Sequence, residues 1–121
     1  MSETITQAEV KPLPAGYAKT DAKRLASDAK AVYSMWQAAN AEKGSNRQRA
    51  LTNVKDIGSA LIGDLTRDSG LASTARGVRI AVTVRATLRG NVEESTLSVP
   101  VPDLLRAIVY GGAVAGSAKL A

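Results

Sequence analysis

Between Gly77 and Val101 the chain alternates apolar and polar residues with a period of two, and this constrains the fold more than any other feature. Val78, Ile80, Val82, Val84, Ala86 and Leu88 take the even positions; Arg79, Ala81, Thr83, Arg85, Thr87 and Arg89 take the odd ones. Successive side chains of a strand point to opposite faces, so one face is aliphatic and the other polar and basic. The run is rich in β-branched residues, which suit a half-buried pleated surface. Gly90-Asn91 reads as a two-residue hairpin turn, because both residues tolerate positive φ. That turn pairs Arg89 with Val92, Val84 with Leu97, Val82 with Val99 and Ile80 with Val101. The apolar pairs share one face. On the other, Thr87 meets Glu94, Arg85 meets Thr96 and Thr83 meets Ser98. A slip by one residue would reverse every side chain.

Two helical patterns precede the hairpin. Ala22, Leu25, Ala29, Val32, Trp36 and Ala39 recur at spacings of three and four, the stripe of an amphipathic helix over about 20–43. Thr20 is a natural N-cap, Asp21 complements the dipole, and Gly44 is a suitable stop. A second helix over about 46–68 starts at Ser45 or Asn46 and presents Ala50, Leu51, Val54, Ile57, Leu61, Ile62 and Leu65. Gly58 and Gly63 weaken it unless another helix packs closely there. Gly70 ends it, and Leu71 to Arg76 reads as a connection. After the hairpin (about 77–99), Pro102-Asp103 opens a short helix over about 102–110. Residues 1–18, with Pro12, Pro14 and Gly16, read as a flexible arm, and 111–121 as a tail that docks on another subunit or frays.

The expected fold is therefore α+β: two amphipathic helices, a hairpin and a short C-terminal helix in one domain over 19–121. Two strands alone are marginal in water and leave exposed edges, so the sheet is expected to be completed between subunits of a homo-oligomer.

The chemistry is bounded by what is missing. The sequence holds no His and no Cys, which removes the commonest general base and the commonest soft-metal ligands. Adjacent Glu93 and Glu94 point to opposite faces and make a poor catalytic pair. Gly111-Gly112-Ala-Val-Ala-Gly116 follows a helix instead of a strand, so it is no dinucleotide fingerprint. An enzyme, a cofactor and a metal are not expected. No run approaches the length of a bilayer span, and the N-terminus lacks an apolar signal region; a cytoplasmic protein with no membrane partner is expected.

Sixteen Lys and Arg stand against eleven Asp and Glu, a net charge of +5, and that balance suits a polyanionic partner. Arg79, Arg85 and Arg89 share one strand face with small residues between them. Positions six apart on a strand lie about 20 Å apart, a track several nucleotides long. Arginine's planar fork binds phosphate and stacks on bases. Arg47 and Arg49 open the second helix against its dipole and are taken as an extension of the track. Aromatic residues free to stack are few, Tyr17 and Tyr110; Trp36 lies on the apolar stripe and is assigned to the core. Binding should thus be electrostatic and largely independent of sequence. The expected function is a small oligomeric nucleic-acid-binding protein, with single-stranded DNA the favoured ligand. A viral replication or transcription accessory role, with a polymerase or other protein as further partner, suits its size. The alternatives are a capsid or other virion component and an interaction module for an acidic protein.

Overall fold

The computed structural model describes residues 18–121; the arm expected over 1–18 lies outside the described residues apart from Ala18, which is helical. The elements run α1 (Ala18–Ala41), α2 (Gly44–Arg67), α3 (Ser69–Arg76), β1 (Arg79–Leu88), β2 (Asn91–Pro100), α4 (Val101–Tyr110), β3 (Ala113–Ala115) and β4 (Ala118–Leu120). The fold is α+β, with a four-stranded antiparallel sheet in the order β2-β1-β4-β3.

The two long helices obey their periodicity. Leu25, Ala29, Val32, Tyr33 and Ala39 of α1 and Val54, Gly58 and Leu65 of α2 are buried. Ile57, counted with the apolar set, is instead 37% exposed. Gly44 adopts φ +60, which reverses the chain between α1 and α2 within two intervening residues. Gly58 marks the closest helix approach: a Cβ there would lie 2.8 Å from Cγ2 of Val109 on α4. Gly63 has no such role, since only the Arg67 side chain lies near it.

The expected connection at 71–76 is a correction. Asp68 caps a separate helix, its carboxylate accepting from the Leu71 backbone N–H at 3.0 Å, and Ala75 of that helix is fully buried. Gly70, expected to stop α2, lies inside α3; α2 has already ended at Arg67.

The hairpin keeps its faces and changes its register. Leu88 pairs with Asn91, Arg85 with Glu94, Val82 with Leu97 and Ile80 with Val99. The turn is Arg89-Gly90, with φ +52 and +84, in place of Gly90-Asn91. The partner of each β1 residue moves by two, so every side chain stays on its face; the alternation alone could not separate the two registers. Two features favour the observed one. Arg85 meets the opposite charge of Glu94 across the strands. Val101 leaves the strand to open α4, where it is buried and its N–H donates to the Val78 carbonyl.

The C-terminal tail is the second correction. It does not fray: β4 pairs with β1 through Val84–Leu120 and Arg85–Lys119, and β3 pairs with β4. This completes a four-stranded sheet within one chain and leaves β2 as an edge. The core lies between the helices and the sheet face that carries Ile80, Val82 and Val84 of β1 and Val99 of β2, packed against Leu104, Leu105 and Ile108 of α4 and the stripes of α1 and α2.

Beyond the end of β4, α1 finishes the edge of β1. The Ala121 N–H donates to the Thr83 carbonyl, and the Thr83 N–H donates to the Tyr33 hydroxyl at 2.9 Å. The Gln37 amide also donates to that hydroxyl. Tyr33→Phe strands a part-buried amide N–H, so it should cost about 1–3 kcal/mol, read as a lower urea midpoint at unchanged m-value.

Candidate nucleic-acid interface

The helices cover one face of the sheet and leave the other open. Along β1, Ile80, Val82 and Val84 are buried while Arg79, Ala81, Arg85 and Thr87 are exposed. The open face of β2 adds exposed Glu94, Thr96 and Ser98. On β4, Lys119 pairs opposite Arg85 and so shares its face. Three cations, Arg79, Arg85 and Lys119, thus stand on a surface made mostly of Thr, Ser and Ala, with Val92 near the hairpin tip and Glu94 the acid among them.

The guanidiniums are partly engaged. Arg79 donates from Nη2 to the Ser98 carbonyl at 3.1 Å and from Nε to the Ser98 hydroxyl at 3.3 Å. Arg85 donates from Nε to Glu94 at 3.0 Å, with both side chains more than half exposed. An exposed pair of this kind contributes about 0–1 kcal/mol and yields readily to a competing phosphate. Lys119 has no carboxylate within 4 Å among the described residues.

The five arginines singled out from the sequence are not brought together. Arg79 and Arg85 lie on the open face about 20 Å apart. Arg89 has left the strand for the turn, where its backbone is left-handed. Arg47 and Arg49 belong to the first turns of α2 in the helical layer; Arg47 donates to the Asn40 side chain of α1 at 2.8 Å and ties the corner of that helix pair. Lys119 was missed because the tail was not read as strand. The signal was present: Gly116-Ser117 between two short alternating runs is a hairpin pattern.

Trp36 is half-buried and stacks on Tyr33, ring centroids 6.3 Å apart. Tyr110 is 72% exposed at the end of α4. Tyr17 lies outside the described residues. Among the described residues no cluster of carboxylates is placed to hold a metal, and no helix is long and apolar enough to cross a membrane.

Asp28 is the one described group with a displaced titration. Burial against the helix pair pushes its carboxyl up, and nearby Arg24 pulls it partly back. A raised folded-state value favours the folded state at acid pH, and that contribution is lost as pH rises through the raised value. Asp28→Asn should therefore gain stability relative to the wild type between about pH 3 and pH 7, measured by denaturation at both ends. With no His or Cys in the chain, the wild type itself should change little between about pH 6 and pH 8.

The fold and this surface define an α+β protein with helices on one side of a four-stranded antiparallel sheet and a basic open face on the other. No family model matches the chain, and neither a curated protein nor a solved structure matches it.

Proposed function

We propose that the protein is a small, non-enzymatic, oligomeric nucleic-acid-binding protein that takes single-stranded DNA with little regard to sequence. The observation that carries this reading is the open sheet face, where Arg79, Arg85 and Lys119 outnumber Glu94 and only small side chains separate them. Such a face can track a phosphate backbone, and the flat, aromatic-free surface reads no bases. Arg89, at the tip of the hairpin, extends the track; Arg47 and Arg49, in the helical layer, are left outside it.

The oligomer follows from β2. It is a ten-residue strand with no Lys or Arg, paired with β1 on one side and with no strand on its outer side among the described residues. At its tip Leu88 and Val92 are 59% and 67% exposed. Long edges of this kind pair with another copy unless blunted, and pairing two β2 strands about a two-fold would join the two basic faces into one surface. A viral replication or transcription accessory protein could use such a surface; a large shell in place of a closed oligomer would turn the reading towards a virion component.

A second reading rests on a separate feature. A cleft of about 400 Å³ between α2, α3 and α4 has Ile62, Leu65, Pro100 and Pro102 in its wall, with Arg76, Arg106 and one acid, Asp103, beside them. That chemistry suits an acidic protein partner. Light scattering together with gel shifts on single- and double-stranded oligonucleotides separates the readings. A small oligomer that retards single strands supports the proposal. A protein that retards neither strand form has an open face that is solvated surface only.

A further inference from the structure

The open face lacks the aromatic platforms that single-strand binders use, but the helical layer supplies two. A cleft of about 280 Å³ lies where α1, α2, the end of α4 and β4 meet. One-turn pairs face it from two helices, Trp36 and Asn40 from α1 and Leu51 and Lys55 from α2. Tyr110 lines it from α4, and Lys119, one of the three cations of the open face, lines it from β4. Gly111 and Gly112, both at positive φ, form part of the wall without side chains that would narrow the mouth.

We propose that this cleft holds one nucleotide of a bound single strand, its base against the Trp36 and Tyr110 rings and its phosphate at Lys55. This deepens the nucleic-acid reading and rests on it. Trp36 is stacked on Tyr33, which leaves the indole held in place with part of its surface free. Tyr110 is the most exposed large apolar side chain among the described residues, and an amphipathic ring at a cleft mouth is suited to a base that is wet on one side. Lys55 has no carboxylate within 4 Å among the described residues. The carbonyl end of α4 carries partial negative charge, so the phosphate sits across the cleft from it, on the lysine side. Lys119 belongs to both surfaces, so a strand following the open face from Arg85 reaches the cleft at the next residue across the sheet.

The chain has a single tryptophan, so its fluorescence reports on the cleft alone. Deoxyadenosine monophosphate, titrated while Trp36 is excited at the red edge of its absorption, is expected to quench the emission saturably. Tyr110→Ala and Lys55→Ala, both exposed positions, should each weaken that binding by about tenfold without changing the circular dichroism. Arg79→Ala with Arg85→Ala should leave it intact. Absence of saturable quenching overturns the inference, and so does quenching that both cleft variants retain, because the ligand would then sit elsewhere. The two proposals fail separately. Strand binding without mononucleotide quenching removes the cleft and keeps the open face. Quenching with the expected variant effects but no strand binding keeps the cleft as a nucleotide site and removes the face.

Discussion

Leu104→Ala is expected to lower the unfolding free energy by about 2–5 kcal/mol. Leu104 is fully buried in α4, and Leu105 and Ile108 beside it are almost as deep. α4 contacts α1, α2, α3 and three of the four strands, so its apolar side is where the two layers join. The substitution removes three carbons, a methine and two methyls, with their transfer energy, and leaves a cavity that rigid neighbours fill poorly. A domain of this size has roughly 5–15 kcal/mol to lose, so the variant approaches the threshold of folding. Urea denaturation should show a lower midpoint with an unchanged slope. Asp103→Ala, one residue away but exposed and paired with Arg106 only at 3.8 Å, should change stability by less than about 0.5 kcal/mol.

The second large effect is on binding. Arg79→Ala, Arg85→Ala and Lys119→Ala together strip the open face of its cations. All three are exposed, and the aliphatic face behind them is untouched. Stability should fall by no more than about 0.5 kcal/mol per site, since the Arg85–Glu94 pair is exposed and contributes little. Binding should suffer much more, because Glu94 is left alone on the face and repels phosphate. Arg89 is best tested as Arg89→Asn. Its φ of +52 is tolerated by Asn and strained in Ala, so an alanine there would mix a backbone effect with the loss of charge. Arg47→Ala with Arg49→Ala, in the helical layer, should leave binding unchanged.

The architecture was legible wherever a pattern repeated over several turns or residues. The stripes of α1 and α2 and the faces of the hairpin follow from periods that the sequence states many times over. The register did not follow. Gly90 can be the first or the second residue of a two-residue turn, and both choices keep Ile80, Val82 and Val84 on the core face. What decides is non-local: Glu94 opposite Arg85, and Val101 committed to α4. α3 was hidden for a related reason. Gly70 looked like a stop after α2, whereas Asp68 ends one helix and caps the next. β3 and β4 are three residues each: the alternation around Gly116-Ser117 is too brief to stand alone, and it becomes sheet because β4 finds an edge on β1 and β3 folds back on β4. The candidate site inherits these limits. Arg79 and Arg85 were legible from alternation, while Arg89 moved with the turn and Lys119 appeared only with β4. Trp36 was read as core, and its stacking on Tyr33 agrees; its place at a cleft with Tyr110 depends on how α1 meets the end of α4, which no local pattern encodes.

In the proposed complex, phosphates lie along the open sheet face. The most direct test is the affinity of the wild type and of the Arg79, Arg85 and Lys119 triple alanine variant for a single-stranded oligonucleotide, measured across a range of salt. Each phosphate contact on a single strand contributes about 0.7 to the slope of log affinity against log salt. The folded triple variant should bind weakly at moderate salt and lose about two units of slope. Equal affinity and equal slope for the two proteins would contradict that placement of the phosphates.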